Sequence, residues 1–162
     1  MKYSDIYRLY STSQPKDAIH QALREVPVDD SDEQYEDRSP LHLACQYGDT
    51  EGVKILLERD AEPNTKDANG STPIHILGRT SAGCADEDKL KEIAVMLIEQ
   101  GANIPRSAKN TTALIECIRN RHFKMAEAII DSGARVNSTD LNGENVLFGF
   151  CAASGDIRRD IR

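Results

Sequence analysis

His42 and Cys45 stand in an H-x-x-C spacing, which offers two of the four ligands that a tetrahedral zinc ion requires. A second converging pair is needed to complete such a site, and no matching pair occurs in the chain. Cys84 is the other group with latent reactivity, in a run of small residues from Ser81 to Ala85. A nucleophilic thiol needs a nearby base, cation or helix N-terminus to lower its pKa. Asp86, Glu87 and Asp88 follow instead, and their charge opposes thiolate formation. No phosphate-cradling G-x-x-x-x-G-K, dinucleotide G-x-G-x-x-G, zinc-protease H-E-x-x-H or G-x-S-x-G nucleophile turn is present. No catalytic residue, metal site or cofactor is therefore expected, and the chain reads as a non-enzyme.

The elements that carry these residues must be built from 162 positions, of which 39% are hydrophobic and 5% aromatic, with no Trp. That suits one domain with a thin core and much surface. It does not suit a platform for stacking single-stranded bases. Twenty Lys and Arg against 27 Asp and Glu leave a net charge of −7, which repels phosphate backbones and anionic lipid. No nucleic-acid or membrane partner is expected. The N-terminal stretch has no apolar run resembling a signal peptide, and no segment approaches the 18 or so apolar residues of a membrane span. Cys45, Cys84, Cys117 and Cys151 are widely spread in a chain too large to depend on disulfides, so reduced thiols and a cytoplasmic location are expected.

The strongest signal is internal repetition. Ser39-Pro40-Leu41-His42-Leu43-Ala44 recurs as Thr72-Pro73-Ile74-His75-Ile76-Leu77, 33 residues on. Weaker copies start at Thr112-Ala113-Leu114-Ile115 and, after another 33 residues, at Asn145-Val146-Leu147-Phe148. A second landmark follows at a fixed offset: Ala61 lies 21 residues after Pro40, and Ala134 lies 21 after Ala113. Ser39 and Thr72 each place a hydroxyl before a proline, the combination that starts a helix. Asp67-Ala68-Asn69-Gly70 and Asp140-Leu141-Asn142-Gly143 contain the Asn-Gly pair of a tight hairpin. Apolar residues at helical spacing mark second helices around Val53–Leu57, Ile93–Ile98 and Met125–Ile130. Asp60, Gly101 and Gly133 occupy the left-handed position that ends each of them.

These landmarks resemble the ankyrin repeat. The resemblance implies an all-α solenoid of stacked helix-turn-helix pairs joined by β-hairpin loops. It implies a degenerate helical cap over residues 1–33, repeats over 34–66, 67–106 and 107–139, and a truncated capping repeat over 140–162. Repeat two carries about eight extra residues within 81–88, read as an inserted loop between its helices. Repeat three lacks the motif Pro and His but keeps helical spacing. The segment from Val28 to Asp37, with six acids, reads as a solvated loop. Cys45, Cys117 and Cys151 fall where the family carries alanine and read as buried structural thiols; His42 and His75 fall at its scaffold histidine.

By the same resemblance the function is protein–protein interaction, by a monomer, through a concave face of hairpin tips and first helices. Register places Tyr35, Arg38, Gln46, Tyr47, Asn69, Arg79, Thr80, Lys109, Arg119 and Asn120 on that face. Arg38, Arg79, Lys109 and Arg119 would then form a basic groove suited to an acidic partner segment, unless neighbouring acids such as Glu36 and Glu144 neutralise it. A secreted or host-directed inhibitor that blocks an enzyme is a second reading. An ankyrin segment of a longer enzyme is a third.

Overall fold

The computed structural model describes residues 1–80, 86–104, 112–134 and 139. Among them eight α-helices follow in order: α1 (Tyr3–Ser11), α2 (Lys16–Glu25), α3 (Pro40–Gln46), α4 (Thr50–Leu57), α5 (Pro73–Gly78), α6 (Glu87–Glu99), α7 (Ala113–Arg119) and α8 (Phe123–Asp131). A 3-10 turn spans Glu33–Tyr35, and no strand occurs among the described residues. Consecutive helices pair, and the pairs stack so that α1, α3, α5 and α7 form one row and α2, α4, α6 and α8 another. This is the expected all-α solenoid. A single apolar cluster runs between the rows from Ile6 and Leu23 through Leu43, Leu56, Ile74, Leu77 and Leu97 to Ile129. Each unit buries its apolar faces mainly on its neighbours, as a solenoid requires.

The repeated Ser/Thr-Pro-x-His motif explains how α3 and α5 start. Ser39 is the N-cap and Pro40 occupies the first turn, where its missing N–H is no loss. The His42 ring accepts the Ser39 backbone N–H at Nδ1 (3.1 Å), so its other nitrogen carries the proton. That Nε2–H donates to the Ser71 carbonyl of the next unit at 3.0 Å. Burial holds the His42 pKa below its ordinary 6.5, keeping the ring neutral in this bridge. The Thr72 backbone N–H donates to His75 Nδ1 at 3.4 Å in the same way, and the Thr72 hydroxyl lies 2.9 Å from that nitrogen. In α7 the Thr112 hydroxyl alone accepts the Ile115 N–H, at 3.3 Å. The expected helix therefore forms without Pro or His.

Between the units the turn at Asp67–Ser71 differs from a two-residue hairpin. Gly70 N–H donates to the Asp67 carbonyl at 2.8 Å, and Asp67 N–H donates to the Ser71 carbonyl at 2.9 Å. Only Gly70, at φ 67°, is left-handed in this turn. It is a three-residue loop, a type I turn closed by a left-handed glycine. The buried Asp67 carboxylate fixes it from inside, accepting Asn69 N–H at 2.9 Å and Ser71 N–H at 2.8 Å. Asp60, Gly101 and Gly133 are left-handed as expected, with φ of 62°, 87° and 89°.

The extra residues of the second unit do not all form a loop. Glu87 and Asp88 are already helical, so α6 reaches 13 residues against 8 in α4 and 9 in α8. Asp86 caps it through the Asp88 N–H at 3.1 Å. Residues 81–85, with Cys84, lie outside the described residues, as do Cys151 and the expected capping repeat at 140–162. The added turn of α6 reaches over the start of α8. There Glu87 accepts the Lys124 backbone N–H at 3.0 Å, and Asp88 accepts the Lys124 ammonium at 2.6 Å. The acidic segment before α3 is also more ordered than a solvated loop: Asp30 accepts the Tyr3 N–H at 2.7 Å and Asp32 caps the 3-10 turn.

Polar side chains stitch each unit to the next. Asp49, 5% exposed, accepts the Tyr10 hydroxyl at 2.8 Å and contacts His20 Nε2 at 3.0 Å, tying both cap helices to α4. Gly52 makes room for this cluster, since a Cβ there would lie 2.6 Å from the Asp49 carboxylate. Arg59 donates through Nη1 to the Leu23 and Val26 carbonyls at 2.6 and 2.7 Å, satisfying the end of α2. Asn64 gives its amide to the Gly101 carbonyl at 3.0 Å and accepts the Asn103 N–H at 2.7 Å.

Candidate protein-binding face

The first-helix row and its turns carry the candidate face. Arg38 precedes the Ser39-Pro40 start and Gln46 ends the same helix, which brings their side chains together: Arg38 Nη1 donates to Gln46 Oε1 at 2.8 Å. One unit on, Ser71 and Arg79 hold the equivalent positions, and Arg79 Nη2 donates to Ser71 Oγ at 2.7 Å. The arginine has changed ends, but the clasp across the helix is kept. Tyr35 is half-buried in the 3-10 turn, Tyr47 is 36% exposed at the end of α3, and Asn69 is half-buried at the turn tip.

The expected basic groove is, over its described part, a run of ion pairs. Arg38 pairs with Glu36, and its Nε lies 3.6 Å from the buried Asp67 carboxylate. Arg79 Nε lies 3.4 Å from Glu116 Oε1. Glu36 was foreseen as a neutralising acid, whereas Glu116 was missed because it belongs to the next unit, one turn before Arg119. Arg119 is exposed at the end of α7. Lys109 and Glu144 lie outside the described residues.

Two candidate residues point inward. Thr80 is 4% exposed; its carbonyl accepts from His122 at 2.6 Å. It therefore offers almost no surface to a partner. The Asn120 amide donates to the Gly78 carbonyl at 3.0 Å and to Glu116 at 2.9 Å. Both its hydrogens are thus engaged in closing helix ends. Gly78 is tightly approached, with the Ala113 carbonyl 3.1 Å from where a Cβ would stand.

Cys45 and Cys117 are free and fully buried, and burial pushes both thiols well above their ordinary pKa, away from nucleophilic use. They occupy the structural role expected of them. Among the described residues no group of three potential metal ligands converges, and no helix is long and apolar enough to cross a membrane. What sequence reasoning did not find is that all five tyrosines gather at one end. Tyr3, Tyr7 and Tyr10 of α1 meet Tyr35 and Tyr47 of the first full unit: Tyr7 lies 4.3 Å from Tyr35, and Tyr10 stacks on Tyr47 at 4.8 Å. The repeat of Tyr at 3, 7 and 10 was the available signal, being one helix face.

Residues 22–77 match the family model for ankyrin repeats (many copies). Relatives include the transient receptor potential cation channel subfamily A member 1 homolog of Caenorhabditis elegans, 38% identical over 69 residues, which are 43% of this chain and 6% of that protein. Mouse neurogenic locus notch homolog protein 1 is 34% identical over 108 residues, 66% of this chain and 4% of that protein. Mouse rabankyrin-5 is 31% identical over 115 residues, 68% of this chain and 9% of that protein. The chain thus spans a tenth or less of the length of these relatives. Ankyrin repeats generally mediate protein–protein interaction, and such chains are typically non-enzymatic. With the motif, the stacked helix pairs and these matches in agreement, the chain belongs to the ankyrin-repeat family.

Proposed function

We propose that this chain is a non-enzymatic binding module that holds a protein partner on the face formed by α1, α3, α5, α7 and their turns, and that it does so as a monomer in the cytoplasm. The observation that carries the reading is the pair of clasps Arg38–Gln46 and Arg79–Ser71. Each holds a long polar side chain in one conformation before any partner arrives, which lowers the entropy lost on binding. The ion pairs with Glu36, Asp67 and Glu116 offset the charges of Arg38 and Arg79, two of the cations an acidic partner would use. A mixed polar and aromatic partner surface fits the face better.

A photo-crosslinking amino acid at Ala68 or Asn69, compared with one at Glu51 or Lys54 on α4, tests this in a lysate of the source cell. Products specific to the first pair are expected. Equal labelling from both faces, or labelling from α4 alone, overturns the proposal.

A further inference from the structure

The tyrosines form a strip of two ring groups, Tyr3 and Tyr7 against Tyr35 and Tyr10 stacked on Tyr47, that ranges from buried to open. Tyr3 and Tyr10 are 1% and 6% exposed and anchor it, Tyr7 and Tyr35 are half-buried, and Tyr47 is 36% exposed. The Tyr3 hydroxyl is buried without a hydrogen-bond partner, although an unmet buried donor costs about 1–3 kcal/mol. The segment that supplies Tyr35 carries Glu33 and Glu36 on the surface and Asp37 half-buried. Arg38 is the adjacent cation, and Glu36, Asp67 and Gln46 already engage it. Tyr35 is therefore flanked in sequence by carboxylates, on a chain of net charge −7.

We infer that this strip receives a cationic segment of a protein partner, with an arginine or lysine laid over Tyr7, Tyr35 and Tyr47 and its charge met by Glu33 and Asp37. An aromatic face attracts a cation through its quadrupole, and tyrosine is enriched where binding energy concentrates. An apolar partner helix would leave those carboxylates beside a dry contact. A cationic segment uses the rings and the acids together. The inference rests on the proposed binding face of α1, α3, α5 and α7 and narrows it to one end of that face.

The test is fluorescence anisotropy with a labelled eight-residue peptide alternating Arg and Ser, and the same peptide with neutral citrulline for Arg. Arginine should bind at least about tenfold more tightly than citrulline. Tyr47→Leu, with an unchanged melting temperature, should weaken it about fivefold. Glu33→Gln with Asp37→Asn should do the same, whereas Glu51→Gln with Glu58→Gln, on α4 and at its C-cap, an equal change of charge, should not. Equal binding of citrulline, normal binding by Tyr47→Leu, or equal losses from the two acid pairs overturns the inference; the last outcome indicates diffuse charge alone. Crosslinks from Asn69 that persist in Tyr47→Leu would leave the first-helix-face reading standing while the strip fails. Peptide binding to the strip without those crosslinks would show the reverse.

Discussion

Asp49 and His122 occupy the same place in two units, just after a left-handed residue and just before the second helix, and each reaches back to the preceding unit with opposite chemistry. Gly48 at φ 59° and Arg121 at φ 65° make the two turns alike. Asp49 receives Tyr10 and His20, whereas His122 contacts the Thr80 carbonyl at 2.6 Å and Glu87 at 3.5 Å. His122 therefore grips the second unit at Thr80, just before the insertion, and again at Glu87 in the first turn of α6.

Replacing Asp49 by Ala leaves the buried Tyr10 hydroxyl unmatched and should cost about 2–3 kcal/mol. Tyr10→Phe, which keeps the ring stacked on Tyr47, should cost about 1 kcal/mol. Gly52→Ala should resemble Asp49→Ala, because its Cβ would lie 2.6 Å from the same carboxylate. Chemical denaturation gives the sizes. Amide exchange should show the loss concentrated in α1 and α2.

His122→Ala should destabilise by about 1–3 kcal/mol and speed amide exchange at the start of α6, because Thr80 and Glu87 lose their shared partner. Lys124→Ala removes only an exposed, solvent-screened partner of Asp88, so its effect should be much smaller than that of His122→Ala. Equal effects of the two changes would rule out His122 as the anchor.

Asp60 is exposed and left-handed, where Gly101 and Gly133 serve in the later units. Asp60→Gly should stabilise by about 0.5–1 kcal/mol, since relief of the side-chain clash outweighs the added freedom of the unfolded chain. The melting temperature should rise by a few degrees.

Stability should fall on both sides of neutrality. Burial holds His42 below its ordinary 6.5, so the unfolded chain takes up that proton first and stability drops as pH falls below about 6.5. Burial raises Cys45, Cys117, Tyr3 and Tyr10, with the Asp49 charge adding to the rise at Tyr10. Those groups stay protonated in the fold, so stability drops as pH rises past the unfolded thiol and phenol values of 9 and 10. Denaturation midpoints across pH measure both limbs, and His42→Gln should flatten the acid one.

The helices were legible because each repeats a local code within one unit: Ser39-Pro40 and Thr72-Pro73 start helices, and Asp60, Gly101 and Gly133 stop them. Register alone also placed Arg38, Gln46, Tyr47 and Arg79 on the first-helix row. The charge of that row was not legible, because Arg79 meets Glu116 across 37 residues of sequence and Arg38 meets a carboxylate buried in the next turn. The backbone bonds of Thr80 and Asn120 were not legible for a related reason. Both sit at helix ends, where backbone groups left open attract the nearest polar side chain.

The contrast between Asp49 and His122 also bears on how such a chain can be recombined. Its units share a period, yet they are keyed to their neighbours. Exchanging the first and third full units would set an imidazole against Tyr10 and His20 and a carboxylate against the Thr80 carbonyl and Glu87. Acceptor would face acceptor at the second junction. The order of the units is therefore written into two side chains, and duplication or shuffling must change both sides of a junction at once.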